Sequence, residues 1–350
     1  SDGSNSPIPN CRLIINKSKK IYLITEPQKV KMLIKKKIIN KNQLINTNDL
    51  ANRILLLNDK NFIIDNKSCS IFYEDIIRSK FKIISRKDPT YLLKAIKNKT
   101  EINNMINSHI LDGVALTKFI YWIKNINKRK ITEVDAQIKL EKIRKKNSSY
   151  LYPSFETIAG SGENGAIVHY RAKKGNCRLI KKNEIFLCDS GGQYKYGTTD
   201  VTRTLCFSKP QQSIKNIYTK VLKGHIAVAN TNLVIDDTGK KIDKKARRYL
   251  NKSNLDYAHG TGHGVGFFLN VHEGPQSISK FNDVKIQEGM ILSNEPGYYK
   301  KGSFGIRIEN LVFVKKIKNK IFFENLTLAP LEKELINYNL LTKFEKNYLF

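Results

Sequence analysis

Cysteine is scarce in this chain of 350 residues, and long apolar runs are missing. The five cysteines show no C-x-x-C spacing, so neither a disulfide framework nor a thiolate zinc site is predicted, and a reducing, cytoplasmic compartment fits best. Apolar runs near the start, such as RLIINKSKKIYLI, are interrupted by charges well before the roughly 18 residues that a membrane span needs. No signal sequence or membrane anchor is therefore predicted.

Acidic residues are also outnumbered, with 31 against 62 basic residues and a formal net charge of +31. Such an excess can indicate a nucleic-acid or anionic membrane partner. Here the lysines are spread over the whole length together with asparagine and isoleucine, as in KKKIINKNQLINTNDL. No RNA-reading aromatic motif or basic recognition helix stands out. The charge therefore indicates a compositional drift of the whole chain, and no nucleic-acid partner is predicted.

The hydrophobic pattern of the sequence changes along the chain. Between about residues 14 and 84, the short apolar runs IYLI, RILLL, NFII and FKIIS alternate with helix-compatible stretches, which is typical of a small α/β unit. After a break at Asp88-Pro89, apolar residues recur at helical spacing and predict one buried helix face. These residues are Ile102, Met105, Ile106, Ile110, Val114 and Phe119. Thr132 and Asp135 have the spacing of a capping box that begins a further helix.

Two aspartates flank a glycine-marked turn in EIFLCDSGGQYKYGTTDVTRTL. If the segment is a β-hairpin that turns near Tyr194 and Lys195, Asp189 and Asp200 lie nearly opposite each other, with Cβ atoms about 4.5 to 5.5 Å apart. Two carboxylates this close repel each other unless a proton or a cation lies between them. An isolated D-S-G-G turn is more often an aspartate that caps its own turn. Whether these aspartates bind a metal or cap a turn therefore depends on whether other acidic and imidazole groups lie nearby.

A histidine-rich segment, AHGTGHGVGFFLNVHEGP, supplies imidazoles. Its closely spaced glycines disfavour a helix, and in an extended chain His259, Thr261, His263 and Val265 share one face. The glycines on the other face let another backbone approach closely. One histidine on such a strand is more often a hydrogen-bonded core residue than a ligand, but His259, His263 and His272 together favour a site.

Two glutamates complete the set of candidates. Glu295 ends an apolar strand in ILSNEPGYY, and in FGIRIEN Arg307 and Glu309 share one strand face. A surface ion pair is the alternative for that last pair, but the strand has the apolar pattern of a buried one. The predicted metal ligands are Asp189, Asp200, His263, Glu295 and Glu309.

Four carboxylates with one imidazole match two divalent cations. An oxygen-dominated shell suits Mn²⁺, Mg²⁺, Co²⁺ or Zn²⁺ better than copper or an iron–sulfur cluster. In two-metal sites with ions about 3.5 to 4 Å apart, a bridging water is acidified and the metals polarise the bond that it attacks. The sequence therefore predicts metal-assisted hydrolysis.

From about residue 87 to the end, the chain resembles the pita-bread metallopeptidases, and within them the cytosolic aminopeptidase P (Xaa-Pro aminopeptidase) family. The blocks that carry the resemblance are NGAIVHY, DSGGQYKYGTTDVTRT, HGTGHGVGFFLNVHEGP and EPGYYKKGSFGIRIEN. The resemblance implies an α/β (α+β) catalytic domain with a curved antiparallel sheet and flanking helices. It also implies two metal ions, usually Mn²⁺, and removal of the first residue from peptides whose second residue is proline.

The resemblance divides the chain into two domains. Residues 87–350 match the catalytic domain, with the start of a C-terminal extension at about 325–350. Residues 1–86 resemble only the tail of the second of two creatinase-like α/β domains, so we expect a fragment of a longer enzyme. The extension, which helps to form a homodimer in the family, stops short.

The resemblance also implies roles for the five predicted ligands. Asp189 would bind one metal, while Asp200 and Glu309 would bridge both. His263 and Glu295 would complete the shell of the other metal. Glu295 would in addition accept the proton of the attacking water, so Glu295 and His263 count as catalytic residues.

Histidines and an arginine receive further roles from the resemblance. His272 would help to bind the substrate and manage the proton of the leaving nitrogen, so it also counts as a catalytic residue. His169 and His259 would line the substrate cleft. Arg307 would orient the metal ligands. Cleavage before proline expels a secondary amine that must be protonated, and a histidine that titrates near neutrality suits that task.

Other functions remain open on the same scaffold. Prolidase, methionine aminopeptidase and creatinase share the fold, so fold alone does not choose among them. The NGAIVHY and FFLNVHEGP blocks favour aminopeptidase P over a prolidase-type dipeptidase. A catalytically silent module that binds peptides or proteins is a second alternative, but such modules have usually lost metal ligands, and all five are present here.

Overall fold

A computed structural model describes residues 5–125 and 130–349 of the chain. The chain divides into two compact units, Ser1–Tyr91 and Leu92–Phe350. Among the described residues, no helix combines the length and apolar character that crossing a bilayer requires.

The first unit is built from short strands and helices. They are β1 (Arg12–Ile15), β2 (Ile21–Ile24), α1 (Lys31–Lys35), β3 (Leu44–Ile45), α2 (Leu50–Leu55), β4 (Asn61–Ile64), α3 (Ile71–Arg78) and β5 (Lys82–Ser85). Strands β1 and β2 pair antiparallel and β3 joins β2 in parallel. Strands β4 and β5 pair in parallel, and α3 lies between them in the chain as a crossover connection.

The apolar runs predicted for this unit mostly form strands. IYLI, NFII and FKIIS contribute to β2, β4 and β5, and the buried core contains Ile24, Ile45, Leu50, Ile54, Ile64, Ile77 and Phe81. The prediction was wrong for RILLL, most of which lies in α2. Leucine and arginine are good helix formers, and Leu50 and Ile54, four residues apart, share the buried face of that helix.

The second unit begins with helices. They are α4 (Pro89–Ala95), which starts in the first unit, α5 (Lys99–Lys124) and α6 (Glu133–Arg144), followed later in the chain by α7 (Gln212–Ala229), α8 (Gly239–Asn251) and α9 (Lys343–Tyr348). The capping box at Thr132 is confirmed, because its side chain and that of Asp135 accept each other's backbone N–H groups. A second capping box, of Asn98 and Glu101, begins α5.

The predicted buried face of α5 was partly wrong. Ile110 and Val114 are 43% and 49% exposed, whereas Asp112 is buried. The cause lies on α6, where Arg144 Nε lies 2.7 Å from an Asp112 carboxylate oxygen. The face of α5 that carries Asp112 is thus buried with its ion-pair partner, and the apolar Ile110 and Val114 are left partly exposed.

The strands of the second unit form antiparallel sheets. They are β6 (Tyr150–Pro153), β7 (Ile158–Ser161), β8 (Ile185–Ser190), β9 (Gly192–Tyr194), β10 (Gly197–Thr198), β11 (Val201–Cys206), β12 (Gly262–Gly264), β13 (Glu273–Ile278), β14 (Ile291–Asn294), β15 (Gly297–Lys300), β16 (Phe304–Arg307), β17 (Asn310–Ile317) and β18 (Lys320–Asn325). The sheet orders are β10-β9-β6, β11-β8-β7, β13-β12-β14-β17-β18 and β15-β16. Antiparallel sheets with helices around them confirm the predicted fold class.

Helices cover one face of the sheet that carries the first aspartate. Phe119 and Leu140 from α5 and α6 share a buried cluster with Phe186 and Cys188 of β8. Because side chains alternate along a strand, Asp189 then points to the other side of the sheet. The helices thus pack against the apolar face of this sheet, and its opposite face carries Asp189.

Candidate metal centre

The two aspartates come together with an offset that the sequence did not predict. Asp189 on β8 pairs with Thr202 of β11, while Asp200 precedes β11 by one residue. The hairpin of β9 and β10 turns between Tyr194 and Gly197, close to the predicted position. Asp200 is therefore a diagonal neighbour of Asp189 on the same face, where polar atoms are still within reach.

The five predicted ligands converge from separate elements. Potential ligand atoms lie within 4.8 Å of one another in three overlapping groups. The groups are Asp189 with Asp200 and Glu309, His263 with Glu295 and Glu309, and Asp200 with His263 and His272. The structure thus brings together two imidazoles and four carboxylates from β8, β12, the residues just before β11 and β13, and the segments that follow β14 and β16.

Close backbone packing places His263. A Cβ atom on Gly262 would lie 1.9 Å from the backbone oxygen of Ser293, so only glycine allows β12 this close to β14. The Ser293 hydroxyl accepts the His263 N–H at 2.9 Å and donates to Glu295 Oε1 at 2.9 Å. One serine thereby fixes the backbone of His263 and the side chain of Glu295.

The extended face predicted for this segment holds only in part. Regular strand structure covers only Gly262–Gly264. Thr261 is buried and donates to Asp243 Oδ1 at 2.6 Å, whereas His259 and His263 line the cavity above the carboxylates. The irregular backbone before Gly262 separates side chains that an ideal strand would align.

The tautomer of His263 leaves a lone pair facing the carboxylates. Nδ1 lies 3.0 Å from the carbonyl oxygen of Gly264, which can only accept, so Nδ1 carries the hydrogen. In the neutral ring Nε2 is then an acceptor, and it lies 3.5 Å from Asp200 Oδ2 and 3.3 Å from Glu295 Oε1. Acceptors that face each other this closely require a cation or a proton between them.

Unpaired buried oxygens point to the same conclusion. Asp189 Oδ1 and Asp200 Oδ1 are buried without a hydrogen-bond partner in the part of the chain that the structure describes. Such orphaned acceptors are costly unless something not yet bound satisfies them. The residues present therefore fit a pair of divalent cations.

Electrostatic repulsion acts within the cluster. Burial, followed by the charges of Asp189 and Glu295, raises the pKa of Asp200 well above its ordinary value. Burial and then Asp200 and Glu295 do the same to the pKa of Glu309. Burial alone would raise the pKa of Glu295 too, but nearby histidines and an arginine outweigh it and lower that pKa.

Arg307 connects several parts of the cluster. Its Nη2 donates to Asp189 Oδ2 at 2.7 Å, its Nη1 to the Tyr299 hydroxyl at 2.6 Å and its Nε to Thr202 Oγ1 at 3.1 Å. The Thr202 hydroxyl in turn donates to Glu309 Oε2 at 2.7 Å. Arg307 thus contacts Asp189 directly and Glu309 through Thr202, and its orienting role stays a prediction.

Thr202, Tyr299 and Ser293 were missed by the sequence reasoning. Thr202 follows Asp200 by two positions and therefore shares its strand face, which is a signal that could have identified it. The other two carry no comparable signal, because their contacts depend on how separate strands meet.

The remaining predicted histidines line the cavity. His259 Nδ1 donates to the Gly260 carbonyl at 2.7 Å, so its Nε2 accepts from the Tyr299 hydroxyl at 2.8 Å. The His272 and His263 rings have centroids 4.0 Å apart, and burial followed by His263 lowers the pKa of His272 to about 4. His169 also lines the cavity.

The cavity itself has a volume of about 620 Å³. All the residues predicted to bind metal or substrate line it, together with apolar side chains that include Phe155, Ile158, Val168 and Val271. Its polar end can bind cations and its apolar walls can hold a nonpolar side chain or a proline ring.

Comparison with known proteins agrees with this geometry. The model of metallopeptidase family M24 matches residues 103–316. The chain belongs to metallopeptidase family M24. The resemblance to pita-bread enzymes and the predicted fold are thereby confirmed.

Two M24 relatives are named probable Xaa-Pro aminopeptidase P. The protein from Podospora anserina is 48% identical over 270 residues, which are 73% of this chain and 40% of the relative. The protein from Coccidioides posadasii is 46% identical over 282 residues, 77% of this chain and 43% of the relative. The chain thus spans less than half the length of these curated relatives.

Solved structures extend the comparison. The X-prolyl aminopeptidase from Caenorhabditis elegans, described as a cytosolic enzyme with a di-nuclear active site, superimposes with a TM-score of 0.88 at 29% identity, over 98% of this chain and 58% of that one. The Xaa-Pro dipeptidase from Bacillus anthracis superimposes with a TM-score of 0.76 at 23% identity, over 94% and 90%. The second likeness supports the M24 fold alone.

Proposed function

We propose that this chain is the catalytic part of an Xaa-Pro aminopeptidase, which uses two divalent cations to release the first residue from peptides with proline in second position. The observation that carries the proposal is the His263 Nε2 lone pair, which faces the carboxylates of Asp200 and Glu295 at 3.5 and 3.3 Å. The names of the fungal and nematode relatives support the choice of substrate.

In this proposal Asp189 would hold one cation, Asp200 and Glu309 would be shared by the two, and His263 and Glu295 would complete the donor set of the other. When bound, such a pair acidifies a water molecule and polarises the scissile carbonyl group. Glu309 is held ready by the Thr202 hydroxyl, and Asp189 by the Arg307 guanidinium. We propose Mn²⁺ as the native metal, because the oxygen-dominated donor set suits it and the family resemblance implies it.

Glu295 is the proposed proton acceptor. Its lowered pKa keeps it ionised at neutral pH. The Ser293 hydroxyl donates to Glu295 Oε1, the oxygen that lies 3.3 Å from His263 Nε2. The proton that Glu295 accepts from the attacking water would then go to the leaving proline nitrogen, since the nitrogen of this tertiary amide needs a proton to depart as a secondary amine.

The three histidines on the walls bind the substrate in this scheme. His272, in ring contact with His263, lies beside the reacting bond and hydrogen-bonds the substrate around the leaving nitrogen. The His259 ring is held by Tyr299 on one edge and by its backbone contact on the other, so its orientation is set before a peptide enters. His169, which also lines the cavity, would contact the substrate as well.

Metal counting tests the ligand assignments without any turnover. We expect about two Mn²⁺ ions per chain after dialysis against the metal and gel filtration, measured by inductively coupled plasma mass spectrometry. Asp200→Asn and Glu309→Gln, which alter the proposed bridging residues, should each retain fewer ions. Two tightly held ions in both variants would contradict the assignment.

We also propose a cytoplasmic location and a homodimer. Support for the first comes from the nematode relative, described as cytosolic, and from free thiols at all five cysteines. Support for the second comes from the family resemblance of the C-terminal segment. Light scattering of the purified chain should give twice the monomer mass of 40.2 kDa if the dimer forms.

A further inference from the structure

The proposed active site contains one feature that metal binding does not use. Two arginines line the cavity, Arg171 and Arg307. Arg307 is 2% exposed and its guanidinium is occupied by Asp189 and Tyr299. The Arg171 side chain is 37% exposed. Among the described residues that line the cavity, Arg171 is therefore the permanent cation that a substrate can reach.

The Arg171 guanidinium is oriented but not saturated. Its Nη1 donates to the backbone oxygen of Glu156 at 3.0 Å, and its Nε lies 2.9 Å from a carboxylate oxygen of the same residue. A guanidinium carries five N–H donors arranged to match a carboxylate, so these contacts leave donors for a second carboxylate. The Glu156 side chain is 75% exposed and can give way to a competitor.

Among the described residues that line the cavity, no lysine and no arginine other than Arg171 and Arg307 is present. The lining also includes the apolar side chains of Phe155, Val168 and Val271 and the carboxylates of the proposed metal centre. Bound cations would balance those carboxylates, so Arg171 remains as a positive charge without a buried counter-ion. A carboxylate on an incoming peptide is therefore drawn to Arg171.

Dimensions agree with a carboxylate close to the scissile bond. A volume of about 620 Å³ corresponds to a space about 8 to 9 Å across if it is roughly cubic. An extended peptide advances about 3.3 to 3.6 Å per residue, so a group two residues beyond the cleaved bond lies about 7 Å away from it. A carboxylate at that distance remains within the cavity or at its mouth.

We infer that Arg171 is a specificity-determining residue that selects peptides with a carboxylate one or two residues beyond the scissile bond. The inference rests on the proposed function, since it uses the same cavity and the same peptide direction. The carboxylate has two possible sources, the C-terminus of a di- or tripeptide and the side chain of an aspartate or glutamate that follows proline.

Three matched peptides separate these sources. Ala-Pro-Ala-amide carries no carboxylate, Ala-Pro-Ala with a free C-terminus carries one at the chain end, and Ala-Pro-Glu-amide carries one on a side chain. For the Mn²⁺-loaded wild-type chain we expect kcat/KM for at least one carboxylate peptide to exceed that for the neutral amide by about three- to fivefold, mainly through KM, as for a partly exposed ion pair. Whichever peptide is preferred identifies the source.

Variants connect the preference to Arg171. Arg171→Gln should bring the ratio between carboxylate and neutral peptides to about one. Glu156→Gln removes the competing carboxylate and should raise the ratio further. Lys174→Gln is the matched control, because it removes one positive charge from an exposed residue of the same loop that does not line the cavity, and the ratio should stay as in wild type.

Equilibrium binding keeps this test separate from that of the proposed function. Versions of the three peptides with a reduced, uncleavable first peptide bond can be titrated calorimetrically into wild type and Arg171→Gln. If wild type cleaves none of the natural peptides, the proposed function fails, and the binding ratio still decides about Arg171. Equal ratios for wild type and Arg171→Gln, in cleavage or in binding, would overturn the inference.

Discussion

Asparagine substitutions at two equally buried aspartates should affect the metal-free protein in opposite ways. Asp112 and Asp200 are each 3% exposed. Asp112 accepts hydrogen bonds from Arg144 at 2.7 and 3.1 Å, and this cation outweighs burial and lowers the pKa of Asp112. Asp200 instead has an oxygen without a partner, and burial followed by Asp189 raises its pKa.

The magnitudes follow from these surroundings. Asp112→Asn leaves a fully buried guanidinium without its counter-ion, which should lower the free energy of unfolding by about 3 to 5 kcal/mol. At a separation of 4.8 Å, two unit charges repel by about 3.5 kcal/mol at an effective dielectric constant of 20. Proton uptake by Asp200 limits that repulsion. Asp200→Asn should therefore cost nothing or stabilise by up to about 2 kcal/mol.

The pH dependence gives a second signature. A carboxyl group with a raised pKa in the folded state binds its proton more tightly there than in the unfolded chain, so the folded state holds more protons. Its contribution to stability is complete below the unfolded pKa and is lost as the pH rises toward the folded pKa. Between pH 5 and pH 8 the metal-free wild type should lose more stability than Asp200→Asn.

Urea unfolding followed by circular dichroism, in EDTA at both pH values, measures these differences. Addition of Mn²⁺ at a hundred times its Kd should stabilise wild type by about 2.7 kcal/mol and Asp200→Asn by clearly less. The reasoning would be refuted if Asp200→Asn destabilised the metal-free protein as much as Asp112→Asn does.

Two further predictions concern His225 and Gly262, which pack against Asn294 and Ser293 of β14. Burial lowers the pKa of His225 to about 3, so between pH 7 and pH 5 the unfolded chain takes up a proton on this histidine and the folded protein does not. Lowering the pH from 7 to 5 should therefore reduce the free energy of unfolding of wild type by about 2 kcal/mol more than that of His225→Gln. Equal losses in urea unfolding would contradict this. Gly262→Ala places a methyl group 1.9 Å from the Ser293 oxygen and should destabilise by about 2 to 3 kcal/mol and weaken Mn²⁺ binding at least tenfold. Gly274→Ala, whose added methyl group meets no atom within 4 Å, is its control in the same unfolding and metal titrations.

Much of the candidate site could be predicted because alternation in strands fixes which side chains share a face. This argument identified Glu309 beside Arg307 and assigned His263 to the cluster. It failed for the exact pairing of Asp189, because the register depends on the separate β9–β10 hairpin between the two arms. Thr202, and not Asp200, lies opposite Asp189. Because a shift of two residues along a strand leaves a side chain on the same face of the sheet, Asp200 still points toward the cluster, as predicted.

Other features depend on contacts between distant parts of the chain. The buried Asp112 on α5 could not be inferred from an apolar pattern, since its partner Arg144 lies 32 positions away on another helix. The connection from Arg307 to Tyr299 likewise requires the strands to be placed first. Arg171 looked like one more basic residue in a lysine-rich chain until the structure showed it on the cavity wall.

Release of the first residue from Ala-Pro-Ala, compared with Ala-Ala-Ala, tests the central claim most directly. The chain should be stripped of metal with a chelator and assayed with and without added Mn²⁺, alongside Asp200→Asn. We expect cleavage that requires Mn²⁺, strongly prefers proline in second position and falls by orders of magnitude in the variant. Bound Mn²⁺ without cleavage of either peptide, or unchanged hydrolysis by Asp200→Asn, would contradict the account.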